Sequence, residues 1–240
     1  AVQIIRRGID DHLAAGRFGL AATWLDALPQ AVVEQDARLL LARARVLAFR
    51  GDRYGALELA ERAVQRAEPG QRGLLIRARI FVSILLSGCG RPGEGEELAQ
   101  RLLQELSSRR QPRELADVYR ALSIAAYAQE DYAAAQQCME RALALYESQG
   151  RLHDAAAALN QIGVCCMLRD QHAEAYVHHR RALALREQIR DLAGVATSCN
   201  NIGLLALRQG DYEQAQSAFA RALDLARTLG SVRTLAYAHA

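Results

Sequence analysis

Apolar residues recur every three or four positions along nearly the whole chain, the spacing of one buried helix face. The pattern breaks near residues 16, 51, 90, 130, 170 and 210, where short polar or glycine-bearing stretches predict turns, as at Gln129-Glu130-Asp131 and Gly210-Asp211. Pro29, Pro69 and Pro112 fall between longer units, where helices must end. Pro92 stands at the start of a helix, which tolerates it because the first amides are unpaired anyway. The reading is about twelve helices and no strand.

The helices repeat in pairs. Asn160-Gln161-Ile162-Gly163 aligns with Asn200-Asn201-Ile202-Gly203, and His172, Ala175, Arg181, Ala182 and Leu183 align with Tyr212, Ala215, Arg221, Ala222 and Leu223. One step earlier stand Leu122, Ser123, Tyr132, Ala135, Arg141, Ala142 and Leu143. Arg101 and Leu103 hold the register before that, with Pro92 in the tyrosine's place. "GDRYGALELAERAV" is the second unit and "GRFGLAATWLDAL" a shorter, degenerate first. A period of about 40 over six units marks a solenoid. Gly163, Gly203, Ser83 and Ser123 are expected where the first helix of a pair crosses the second, and Tyr132 and Tyr212 as amphipathic wedges opening the second helix.

With Gly203 as the eighth position, Gly210, Tyr212, Ala215, Phe219 and Ala222 follow the small and aromatic positions of the tetratricopeptide repeat, which the chain resembles over nearly its whole length. The resemblance implies an all-α, right-handed superhelical solenoid of about six helix pairs, forming a single repeat domain over residues 1–240. The longer period and the missing proline after Ala222 are similar to the kinesin-light-chain-like branch. Residues 12–52, through Trp24-Leu25 with Leu28-Pro29 and Gly51-Asp52, resemble the repeat region of MalT-type, ATP-dependent LuxR-family regulators. In that family this region senses an inducer, between a nucleotide-binding switch and a helix-turn-helix. The same residues also read as a core segment closed by Pro29. Because the chain starts at Ala1 and stops at Ala240 inside an apolar pattern, a piece of a longer protein is expected.

Composition narrows the chemistry. The chain is 51% hydrophobic and 5% aromatic, which favours closely packed helices over disorder. All 30 basic residues are arginine, which a GC-rich bacterial genome explains, and they face 27 acids for a net charge of +3. The signs alternate without a basic stripe, so nucleic-acid contact is not expected. Five cysteines without a CxxC pair read as free thiols of a reducing compartment. No leader or membrane-length apolar run appears, so a cytoplasmic location without membrane contact is expected.

Neither metal, cofactor nor catalysis is expected. His178 and His179 diverge by about 100° on a helix and cannot chelate together. "GCGRPGEGEE" (88–97) lacks the Lys-Ser/Thr ending of a phosphate loop. Arg101, Arg141, Arg181 and Arg221 read as a solvated outer face with neighbouring ion pairs.

The first helices of the pairs would line a concave groove. Its candidate binding residues are Arg38, Arg45, Arg77, Arg120, Tyr127, Asn160, Thr197, Asn200 and Arg208. Ile80, Ile84, Asp117, Ile124, Ala157, Val164, Met167 and Leu204 lie at neighbouring register positions. Arginines there favour carboxylates or phosphates, and asparagines offer donors and an acceptor. The partner is then an acidic peptide or protein, or a small anionic or polar effector; a merely solvated groove is the alternative. "TLAYAHA" (234–240) would begin a seventh pair and leave the end of the array open to self-association.

Overall fold

The computed structural model describes residues 2–14, 16–107 and 112–229. Among them are thirteen α-helices and no strand. The chain divides between Glu114 and Leu115 into two compact units.

The first unit holds α1 (Val2–Ala14), α2 (Phe18–Asp26), α3 (Gln30–Gln35), α4 (Ala37–Phe49), α5 (Arg53–Arg66), α6 (Arg72–Gly88) and α7 (Pro92–Ser107). The helix absent from the sequence reading is α3, a short segment opened by Pro29 and held by buried Val33 in the cluster of Leu25, Leu28 and Leu39. It joins the α1/α2 pair to α4/α5, and α6/α7 completes the unit. The second unit holds α8 (Pro112–Ala128), α9 (Tyr132–Ser148), α10 (Leu152–Leu168), α11 (His172–Gln188), α12 (Leu192–Arg208) and α13 (Tyr212–Leu229). These form three consecutive pairs, and α10 and α12 touch as neighbouring first helices.

The turns repeat one device. The residue before the capping position takes a left-handed conformation, as Gly51, Gly210 and, against its side-chain preference, Glu130 do. The next amide then reaches back to a carbonyl of the preceding helix, Asp131 N–H to Ala126 at 3.0 Å and Asp211 N–H to Ala206 at 3.0 Å. The same aspartates turn forward: Asp52, Asp131 and Asp211 accept from the amides of Gly55, Ala134 and Gln214. One left-handed residue followed by Asp thus ends one helix and starts the next.

The crossing of each pair is closed in two ways. Ser83 and Ser123 are buried and donate to the facing carbonyls of Gly95 and Ala135, at 2.6 and 2.7 Å. In the last two pairs glycine replaces serine and a ring fills the space: His179 lies over Gly163 and Phe219 over Gly203. The expected wedge is half right. Tyr132 meets Tyr127 edge to face at 5.5 Å. Tyr212 is 71% exposed, because the position corresponding to Tyr127 is Leu207, itself exposed.

On the outer side Arg181 pairs with Glu147 at 3.2 Å and Arg221 with Glu187 at 2.6 Å, linking successive second helices. Arg141 lies over the Tyr119 ring. The ion-paired outer face is present, and such exposed pairs contribute about 0–1 kcal/mol each. The five cysteines are free thiols. Residues 234–240, read as the start of a seventh pair, lie outside the described residues.

Candidate functional site

The forty-residue register sets equivalent residues of α8, α10 and α12 side by side on the first-helix face of the second unit. Arg120, Asn160 and Asn200 share one row, Ile124, Val164 and Leu204 the next, and Tyr127, Met167 and Leu207 a third. Ala116 of α8, Leu159 and Ile162 of α10, and Leu205 of α12 join one buried cluster, which fixes these helices against one another.

The polar row is tied together, although not through the residue the register picks. Asn200 is only 9% exposed. The amide that bridges to the neighbouring first helix is Asn201, half-buried, whose Nδ2 donates to Oδ1 of Asn160 at 2.9 Å. Thr197 and Leu204, seven residues apart, are both exposed, so the centre of their face falls between positions 200 and 201. Thr197 donates to the carbonyl of Ala193 at 3.1 Å, within its own helix.

The apolar rows are open. Leu204 is 37% exposed, Leu207 48% and Leu168 41%, while Ile124, Val164 and Met167 are half-buried. Leucines on the surface singly need no explanation; these three stand on two touching helices. Tyr127 closes the α8 side of this strip; burial raises its hydroxyl pKa. Arg208 is exposed at the end of α12.

Asp117, one turn before Arg120, is engaged by Arg151 and Tyr146. Its carboxylate accepts from Arg151 Nη2 at 2.9 Å, Arg151 Nη1 at 3.4 Å and the Tyr146 hydroxyl at 3.1 Å. Arg151 lies over the Tyr146 ring and also holds Asp154 through Nε at 2.8 Å.

The arginines expected in the groove of the first unit are engaged within the chain. Arg77 pairs with Asp10 of α1 at 3.3 Å, and Arg38 donates to the carbonyl of Arg6 at 3.1 Å. Arg45 is half-buried. The first-helix face of that unit is therefore crossed by its own contacts, whereas the second unit keeps an amide track and an apolar strip. Among the described residues no group of His, Cys, Asp and Glu side chains is arranged to hold a metal ion, and no helix is long and apolar enough to cross a membrane.

Residues 115–148 and 154–228 match models of the tetratricopeptide repeat. The second unit carries tetratricopeptide repeats. Their helices, such as the 17-residue α10 and α11, account for a period longer than the usual 34 or so residues. Among solved structures the chain is similar to BtubC (BKLC) from P. vanneervenii, at 20% identity and a TM-score of 0.68, covering 95% of this chain and 92% of that one. A Rap protein complexed with Competence and Sporulation Factor is similar at 13% identity and a TM-score of 0.77, with 90% of this chain covered. The chain spans only 60% of that protein's length. A putative kinesin light chain of Podosopora anserina, with nearly identical TPR-like repeats, matches at 17% identity and a TM-score of 0.62, covering 82% and 98%. These likenesses establish the fold of the repeats. No curated protein matches the chain.

Proposed function

We propose that the tetratricopeptide repeats of the second unit hold an extended segment of a protein partner across α8, α10 and α12, as a binding module without catalysis. The observation that supports this most is the Asn160–Asn201 amide pair running beside exposed Leu168, Leu204 and Leu207. An extended chain presents main-chain donors and acceptors along its length and loses their water on binding. Side-chain amides replace that water with both a donor and an acceptor, while alternate side chains of the segment reach the apolar strip. The Rap protein of the same fold is itself held in a complex with a partner, its Competence and Sporulation Factor.

A sensor role in a MalT-type transcriptional regulator is the second reading. It draws on the likeness of residues 12–52 alone, and there Leu25 and Leu28 are core residues while Trp24 meets His12 edge to face at 4.4 Å. A small anionic effector would find the first-unit arginines already engaged by Asp10 and the Arg6 carbonyl. Partner binding is therefore ranked first.

Selection of displayed random decapeptides on the whole chain tests the reading. Enriched peptides are expected to lose at least tenfold in affinity for Leu204→Arg and for the Asn160→Ala, Asn201→Ala double variant, with melting temperatures little changed. Peptides that bind both variants as they bind the wild type contradict it.

A further inference from the structure

The first unit leaves open a space that the second unit fills. A cleft of about 260 Å³, open to solvent, lies between α5 and α7, both of which pack on α6. Its apolar lining is Val64 of α5, Val82 of α6 and Leu98 of α7; Arg79 of α6 adds a guanidinium, and exposed Glu61 and Gln65 of α5 stand at the rim. The register supplies the reason. Forty-residue steps from Arg79 lead to Tyr119, Leu159 and Cys199, and the counterparts of Val64 are Leu143 and Leu183. Leu159 is fully buried in one cluster with Leu143, and Cys199, 3% exposed, in another with Leu183; each cluster joins the two second helices that flank it. An arginine does not fill such a place without a carboxylate. Arg79 pairs instead with Glu105 at 3.3 Å, which also holds Arg72 at 2.8 Å, and the space beside Val64 stays open.

Size and chemistry limit what fits. An apolar cavity of about 150 Å³ holds benzene, so this one suits two fused rings. A guanidinium attracts the face of an aromatic ring. The rim offers oxygen acceptors: Glu61 forms no ion pair among the described residues, and nearby Arg91 is held by Glu94 at 2.6 Å. The surroundings do not suit a protein partner. Among the described residues α6 and α7 expose no large apolar side chain, and α5 exposes only Tyr54, about two turns from Glu61. Apolar surface is thus confined to the cleft, whereas the core of a protein interface is a wider apolar patch.

We propose that this cleft is a small-molecule site for a neutral, bicyclic aromatic compound bearing an N–H donor, the chemistry of an indole. The ring lies on Val64, Val82 and Leu98 with Arg79 against its face, and its N–H donates to Glu61 or Gln65. The site is separate from the segment-binding face and does not depend on that reading.

Titration of the whole chain with indole, followed through the methyl resonances of Val64, Val82 and Leu98, tests it. Saturable shifts at these methyls are expected, with a Kd of about 1 mM or lower. Benzofuran has the same shape but turns an acceptor toward the rim, and should bind about fivefold or more weakly. The Glu61→Ala, Gln65→Ala double variant should erase that preference and bind the two compounds alike. Arg79→Tyr, which copies Tyr119, should fill the cleft and abolish the shifts for both compounds without lowering the melting temperature. The comparison of indole with benzofuran uses the wild type alone, so it stands even if a variant folds poorly. Absence of saturable shifts at the three methyls, equal affinity of the wild type for indole and benzofuran, or undiminished indole binding by folded Arg79→Tyr overturns the inference.

Discussion

His179 lies over Gly163 so closely that a Cβ on the glycine would stand 2.7 Å from the ring's Cε1, and Phe219 covers Gly203 at the same distance. The two pairs of residues are forty positions apart and perform one task. Each lets the first and second helices of a hairpin cross with a ring, rather than a side chain from each helix, between them.

The two glycines should respond differently to enlargement. His179 has no exposed surface, so its ring cannot swing away from a new methyl. Phe219 is half-buried and can shift outward. Gly163→Ala is therefore expected to destabilise by about 1–3 kcal/mol through overpacking, and Gly203→Ala by less. Gly203→Leu should cost at least as much as Gly163→Ala. Gly73→Ala, in the first turn of α6 with open space around it, should be neutral or slightly stabilising. Urea unfolding of the four variants measures this. Equal midpoints for Gly163→Ala and Gly73→Ala would show that the crossing is not as tight as its geometry.

The same histidine makes the fold acid-sensitive. Neither ring nitrogen of His179 has a hydrogen-bond partner, and burial, followed by the charge of Arg186 and by His178, lowers its pKa to about 4. The unfolded chain takes up this proton near pH 6.5, so between 6.5 and about 4 it binds more protons than the folded one. Stability is then fully present above pH 6.5 and falls as the pH drops toward 4, by an amount on the order of 3 kcal/mol, below which this group adds nothing further. His178 is lowered in the same direction by burial and then by Arg181, so some slope will remain without His179. His179→Phe, which copies Phe219, should flatten most of the decline between pH 6.5 and 4 in urea midpoints. An unchanged decline would place the acid sensitivity elsewhere.

These relationships were legible in the sequence to different depths. Repetition exposed the pairs, the turns and the small crossing positions, because a forty-residue register repeats whatever each position needs. Gly163 and Gly203 were visible in this way. The short α3 was hidden because it occurs once and is held by Val33 rather than by any periodic face. The exposure of Tyr212 was hidden because it depends on what stands at position 207 of another helix. In the groove, position alone could not separate Asn200 from Asn201, which differ by one 100° step about the helix. Nor could spacing reveal that Arg77 is answered by Asp10, sixty-seven residues away, while the Nε of Arg120 is buried without a hydrogen-bond partner. Register placed the face; only packing showed which of its charges are already spent on the protein itself.

The central claim is that a partner segment lies across the first helices of the second unit. Its most direct test is nuclear magnetic resonance of the chain during titration with a display-selected peptide, following the side-chain amides of Asn160 and Asn201 and the methyls of Val164, Leu168, Leu204 and Leu207. Shifts concentrated on these groups and on the backbone of residues 117–127 are expected, with the second-helix side quiet. Val177, 55% exposed on α11, is the sentinel for that side. Shifts centred on Val177 and its neighbours on α11, with Asn160, Asn201 and Leu204 unmoved, would contradict the account.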